Sequence, residues 1–386
     1  MRFPLTASLL PLFLGSLPAQ TQWLVEAGNP AALPDLASAV AVAADGDLIR
    51  TRNSAEVVSG LVITKSLRII GEGSFGFGVP VTVLLAQPNA TAPFQVTVAA
   101  GKEVILSNFA LGWFAASVDL RIDACAGRVI LQDVPSGYGR LAIVDSRQVA
   151  LRNVDFTGST PIEFTRSTVA IERSVLRGRP ANYETSTTST IGARLTTARV
   201  DSVDSTILGG AGTQTLSGSL PGAGAMLLAA STFTAAGMSN VAEGTLTTDP
   251  AIDASNSLLI LDPAITPTLN LVQSTLQALA LPSVAVANFA SGQTATLTVR
   301  TPVGTLSALL IGPPGDRLTL PGVFGDSWLD PLITHAALIG VQNGALVRTI
   351  TIPASPALYG TPLAWQAAGV VQGSVWLGAP GAAQLR

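Results

Sequence analysis

Five segments decide how this chain is read: Val104-Ile-Leu-Ser-Asn108, Val129-Ile-Leu-Gln-Asp133, Val149-Ala-Leu-Arg-Asn153, Val169-Ala-Ile-Glu-Arg173 and, more worn, Val200-Asp-Ser-Val-Asp204. A glycine follows each one within five residues: Gly112, Gly137, Gly158, Gly178 and Gly209. The anchor valines lie 25, 20, 20 and 31 residues apart. A repeat near 20 residues with one short strand per unit is the signature of a solenoid.

The local physics agrees. In each unit the anchor and the residue two places on are apolar, as in Val104/Leu106, Val129/Leu131, Val149/Leu151 and Val169/Ile171. A period of two puts these pairs on one face of a strand, toward the solenoid interior. The outward neighbours Ser107, Gln132, Arg152 and Glu172 are mixed. Coils stack about 4.8 Å apart, so Arg152 and Glu172 are expected side by side on successive coils as an exposed ion pair. The column Asn108, Asp133, Asn153, Arg173, Asp204 is rich in residues that tolerate left-handed backbone, and a stacked turn accounts for it. A second strand precedes the anchors in Leu120-Arg-Ile, Leu141-Ala-Ile-Val and Ile162-Glu-Phe.

Composition bounds the rest. The 386 residues are 48% hydrophobic but only 5% aromatic and 12% charged, with a formal net charge of −3. That is β-rich, too apolar for disorder, and lacks the basic surface that nucleic-acid binding needs. Arg2, the apolar residues 3–17 and Leu17-Pro-Ala19 read as an export signal cleaved before Gln20. No membrane span is expected after cleavage, and the mature chain is expected outside the cytoplasm, secreted or at the cell surface. The single Cys125 has no partner for a disulfide and reads as a small buried hydrophobe.

Near the N-terminus Trp23-Leu-Val25 reads as a strand and Leu33–Ala44 as a short helix ended by Asp45-Gly-Asp47. Then comes Lys65-Ser-Leu-Arg-Ile-Ile-Gly-Glu-Gly73. The Ala-rich helix, Ala44-Asp-Gly-Asp47 and the Lys65 motif together resemble the start of secreted right-handed parallel β-helix proteins of the pectate-lyase-like superfamily. The resemblance covers residues 23 to 230. It departs at Asn53-Ser-Ala-Glu-Val-Val-Ser59, where that group carries a Pro-Gly turn. It implies an all-β right-handed parallel β-helix with a short N-terminal capping helix, and polysaccharide as the substrate class.

Between Gly178 and Val200 lies a Ser/Thr-dense insertion beginning at Arg179, which is expected to loop off one face. Residues 240 to 280 show no clear period. Beyond them Ser283-Val-Ala-Val-Ala, Thr294-Ala-Thr-Leu-Thr-Val, Ala308-Leu-Leu-Ile, Val347-Arg-Thr-Ile-Thr-Ile and Gly373-Ser-Val-Trp-Leu are short strands split by Gly and Pro turns. They suggest a small antiparallel β-sandwich and resemble C-terminal modules of secreted bacterial proteins, serving attachment or assembly. The expected division is 1–19 signal, 20–265 β-helix and 266–386 sandwich, with the boundary falling between 265 and 280.

Chemistry is sparse. His335 is the only histidine and no Gly-x-Ser-x-Gly elbow is present, which argues against a Ser-His-Asp triad. One His and one Cys do not make a zinc site. Gly71-Glu-Gly73-Ser-Phe-Gly76 has dinucleotide spacing but no following helix. The resemblance points to carboxylates, since glycosidases of this fold use Asp clusters and lyases use Asp-bound calcium with Arg or Lys as base. Catalytic candidates are Asp123 and Asp145, with Arg147 and Arg166 nearby; Asp133 and Asp155 are a second pair. Between 121 and 199 eleven Arg face seven Asp and Glu, a local excess suited to an acidic polysaccharide. Binding candidates are Arg152, Arg173 and Arg177, with Trp113, Tyr138 and Tyr183 as stacking rings. The readings to separate are a non-catalytic, secreted β-helix protein that binds or presents at a surface, a polysaccharide lyase or glycosidase, and a purely structural envelope component. No cofactor is expected, apart from calcium if it is a lyase.

Overall fold

The structure, a computed structural model, describes residues 20–74, 81–87, 91–112, 117–182, 187–215, 218–332, 334–342, 345–355 and 358–385. The expected export signal, Trp113 and Tyr183 lie outside the described residues. The chain winds into a parallel β-helix of three strand columns, followed by an antiparallel sandwich.

Face A stacks the anchors. Leu67, Val104, Val129, Val149, Val169, Val200, Phe233, Leu259 and Leu276 are successive register partners down the helix. All but Leu276 are fully buried. Face B follows each anchor, in strands such as Phe109–Leu111, Val175–Gly178 and Thr206–Leu208. Face C precedes it, in Val118–Asp123, Ile162–Thr165, Ala193–Thr196 and Met226–Ala229. Strand Arg128–Val144 runs unbroken through all three faces. The interior is one apolar stack, with Phe94, Phe109, Phe156, Phe164 and Phe233 closed off from solvent. Each such side chain contributes about 1.5–3 kcal/mol through burial.

The corners are built from polar columns. Between faces A and B, Asn108, Asp133, Asn153, Arg173 and Asp204 all have φ between 49° and 62°. This is the left-handed turn expected from their sequence column. Between faces C and A a second left-handed column holds Ala124, Asp145, Arg166, Thr197, Ala230, Asn256 and Gln273. Behind both run hydroxyl ladders. Backbone amides of one coil donate to serine of the next: Ser174 to Ser205 (3.1 Å), Ser205 to Ser239 (3.3 Å), Ser231 to Ser257 (3.1 Å) and Ser257 to Ser274 (3.0 Å). Cys125 stands in the serine column, its thiol donating to Val96 O at 3.3 Å. Burial pushes that thiol up and disfavours its thiolate, in keeping with a packing role.

The helix Leu36–Val42 closes the first coils, with Asp35 as N-cap accepting from the Ser38 amide at 2.7 Å. Its open carbonyls are taken by Lys65, whose Nζ donates to Val40, Ala41 and Ala43 at 2.7–2.9 Å. The lysine of the sequence motif is therefore a helix C-terminal clamp.

The aperiodic stretch is solenoid after all. Ile252–Ser255, Leu258–Leu261, Leu269–Val272 and Thr275–Ala278 continue faces C and A in parallel register. Residues 266–278 therefore belong to the β-helix, and the first strand of the sandwich is Ser283–Ala287. The sandwich packs a three-stranded sheet of Ser283–Ala287, Thr294–Arg300 and Leu346–Thr351 against a larger one centred on Thr305–Gly312 and Pro362–Val371. Val286, Leu297, Leu309, Ile311 and Trp365 fill its core.

The sandwich lies lengthwise along face A. Outward-pointing Ile105, Ile130, Ala150 and Ala170 pack on Trp328, Leu329, Ala364 and Ala382. Val203, Ala236 and Ile260 pack on Leu281, Ala285 and Val371. At the N-terminal end the Tyr359 hydroxyl donates to Glu72 at 2.5 Å, with Arg50 over its ring. Burial and the Glu72 carboxylate push the Tyr359 phenol up to about 12. The expected exposed ion pair is corrected here. Arg152 and Glu172 are register partners as predicted, but their side chains are only 2% and 4% exposed, because the sandwich covers them.

Candidate functional site

With most of face A covered, faces B and C carry most of the remaining solenoid surface. Face C points Leu120, Ile122, Leu141, Ile143, Ile162 and Phe164 inward. Alternation then turns Asp119, Arg121, Asp123, Arg140, Glu163 and Arg194 outward. Asp119 and Arg140 are direct register partners on neighbouring coils, and Arg140 reaches Glu163 of the following coil at 3.1 Å. At the head of this strip a hollow of about 240 Å³ is lined by Ser59, Phe94, Ser117, Asp119, Arg140 and Thr160. Gly139 makes the approach of chains there feasible. Its φ is +146°, and a Cβ would stand 2.0 Å from Val118 O.

The insertion at Arg179 leaves at the corner between faces B and C, as do the longer connections 209–225 and 243–251. These segments are layered by their backbones: Ala181 N donates to Ala211 O (2.8 Å), Gly210 N to Thr190 O (2.9 Å), Gly212 N to Thr245 O (2.9 Å) and Gly244 N to Ala223 O (2.8 Å).

The proposed catalytic residues are brought close but spent on one another. Asp123 ends a face C strand whose register partner is Val144, which puts Asp145 on the next coil. Asp123 pairs with Arg121 at 3.2 Å. Asp145 sits at the left-handed corner and takes a two-pronged bond from Arg166 at 2.5 and 2.6 Å. The Arg166 guanidinium holds the Asp145 carboxyl below its ordinary range, and Asp145 in turn raises Arg166. A general acid needs the opposite shift. Arg147 is exposed at the same corner. Asp133 accepts from Asn153 and Gln132, both at 2.7 Å, and Asp155 pairs with Arg177. Arg173 donates to Asn153 at 3.3 Å.

Calcium does not fit this donor set. The ion takes six to eight oxygens, whereas Asp123 and Asp145 each answer to an arginine. Among the described residues no group of three or more His, Cys, Asp or Glu could hold a metal ion. Of the ring candidates, Tyr138 is half-buried on face B beside Thr157. Arg152 faces the sandwich, not solvent. His335 begins the strand His335–Gln342 of the sandwich. Among the described residues no helix is long and apolar enough to cross a membrane.

Sequence reasoning missed the Asp119–Arg140 hollow. The signal was present: each residue stands just before the inward leucine of its face C strand, Leu120 or Leu141, at matched outward places.

No family model matches this sequence, and no curated protein matches it. Among solved structures, the enzymatically active domain of tailspike protein 2 from bacteriophage CBA120 aligns with 96% of this chain and 77% of its own, at 11% identity and a TM-score of 0.37.

Proposed function

We propose that this protein is an extracellular β-helix that binds polysaccharide along face C and does not turn it over. The observation that carries the reading is the hollow at the head of the face C strip, with the register partners Asp119 and Arg140 set among serine and threonine hydroxyls. Polar groups of both signs along a flat sheet face suit a chain of hydroxyl-bearing rings laid across successive coils. Beyond the Arg121–Asp123 and Arg140–Glu163 pairs, Arg147 and Arg194 add positive charge that favours an acidic chain. Binding without turnover is supported by the state of the acids. Asp123 and Asp145 are each paired with an arginine, and the paired free carboxyls that glycoside hydrolysis uses are missing from their arrangement.

The test is affinity electrophoresis against polygalacturonate, alginate and neutral glucans, with parallel assays for unsaturated products and new reducing ends. Retardation by an acidic chain, lost in Arg140→Ala and without product, supports the reading. Product formation would move the protein to the lyase or glycosidase class. Absence of retardation by every polymer would leave a structural envelope role.

A further inference from the structure

The sandwich does not seal face A along its whole length. Toward the last coils a cleft of about 480 Å³ opens between the two units. Its floor is one outward column of face A, in which Asp201, Thr234, Ile260 and Gln277 are successive register partners. Its far wall is the edge of the sandwich, where the rings of Phe324 and Trp376 stack at 4.6 Å and 15°. Phe324 is 51% exposed, a large apolar ring kept partly bare at the lip of a cleft.

The charges around this cleft are matched. Arg199 lines it and donates to Asp201 at 3.1 Å and to Asp326 at 3.0 Å. Asp326 is satisfied further by Arg317 at 2.8 Å and the Thr319 hydroxyl at 2.6 Å. Two guanidinium groups meet two carboxylates, so an ionic ligand finds no unpaired counter-charge here. The groups left to a ligand are hydroxyls and amides, from Thr234, Ser374, Gln277 and Gln372, beside an aromatic pair. Stacking rings next to neutral hydrogen-bonding groups are complementary to an uncharged sugar, whose ring offers C–H faces and hydroxyl edges. The volume lies within the range of small-molecule sites.

We propose that this cleft is a second carbohydrate site, separate from face C, that takes a neutral glycosyl unit. It requires nothing of the face C reading, and the two are separated by position and by charge preference. Because the walls come from the solenoid and from the sandwich, the site exists only while the sandwich is seated.

The experiment is saturation-transfer NMR and calorimetric titration of the full chain with cellotriose, maltotriose, xylotriose and trigalacturonate. The expected result is saturable binding of at least one neutral trisaccharide, with trigalacturonate weaker there by about tenfold or more. Phe324→Ala is expected to weaken the neutral sugar about tenfold, in line with the loss of one stacking contact. Thr234→Arg, which fills the cleft, is expected to abolish it. Phe324 is exposed enough that its variant should keep the wild-type melting temperature, so a folding defect in Thr234→Arg would leave the test intact. Failure of all three neutral sugars to bind overturns the proposal. So does binding that survives Phe324→Ala unchanged, or binding that is lost in Arg140→Ala on face C.

Discussion

Arg152 and Glu172 grip the two sides of a single residue of the sandwich. Arg152 Nη2 donates to Val286 O at 2.8 Å, and Val286 N donates to Glu172 Oε1 at 2.7 Å. The two charges are themselves 3.7 Å apart on adjacent coils, with the Arg152 guanidinium 5.2 Å from the Trp365 ring and 5.8 Å from Phe289. Burial pushes the Glu172 carboxyl up, against the pull of Arg152 and of the Val286 amide. The solenoid thus completes the hydrogen bonding of a sandwich strand at its edge.

Breaking this grip from one side is expected to cost far more than replacing it. Glu172→Ala leaves Arg152 buried without its counter-charge, a loss of about 3–5 kcal/mol. The double variant Arg152→Met, Glu172→Leu is expected to recover most of that. Urea unfolding of both at neutral pH checks it, and a double variant no better than the single would contradict the ion-pair account.

Acid is expected to loosen the far end of the interface through Asp326. Its burial would raise the carboxyl, but the Thr319 hydroxyl and the Arg199 and Arg317 guanidinium groups outweigh that and hold it below its ordinary 3.8. The folded state therefore binds this proton less readily than the unfolded one. The stabilisation is full above 3.8 and fades as pH falls through the lower folded value. Asp326→Asn should be less stable than wild type near neutrality, with the gap closing below pH 3.8 in melting-temperature profiles.

Gly139→Ala is expected to be among the most damaging small substitutions. The φ of +146° is strained for any side chain, and the added Cβ would lie 2.0 Å from Val118 O on the neighbouring coil. A cost of about 3 kcal/mol is expected, visible as a melting point lower by several degrees and as weaker polysaccharide retardation, because Val118 also lines the face C hollow.

The corner acids separate binding from chemistry. The Asp145–Arg166 pair is exposed, so Asp145→Ala should leave the melting temperature unchanged within about a degree. Combined with Asp123→Ala, it should also leave polysaccharide retardation within about twofold of wild type. Arg140→Ala should remove that retardation at an unchanged melting temperature. A loss of retardation in the double aspartate variant would bring those acids back into the site.

The solenoid was legible because its rule is local. A valine anchor, an apolar residue two places on and an Asn or Asp at the corner repeat in the coils of Val104, Val129 and Val149, and register stacks like on like. Where the repeat wears thin, at 240–280, register persists with different residues: Leu259 and Leu276 stand in the anchor column that valine holds in earlier coils, and Ile252 follows Met226. The covered face was misread, although its mark was printed in the opening stretch. Val104-Ile-Leu, Val129-Ile-Leu and Val149-Ala-Leu are apolar at three consecutive positions, which alternation does not require. A strand buried on both sides does. The cleft had no such mark, because Asp201 and Trp376 come together only when a distant part of the chain folds back.

That return has a kinetic side. Neighbouring anchors stand 17 to 37 residues apart, so most coils can zip onto the one before as soon as they exist. The sandwich contacts span far more chain: Gln132 accepts from the Gln384 amide at 2.8 Å across 252 residues, and Tyr359 meets Glu72 across 287. Loop closure on that scale comes late. Until it does, the row Ile105, Ile130, Ala150, Ala170 is an open apolar sheet face and a template for aggregation. The last strand, Gly381–Gln384, therefore sets the moment at which the nascent chain stops being adhesive.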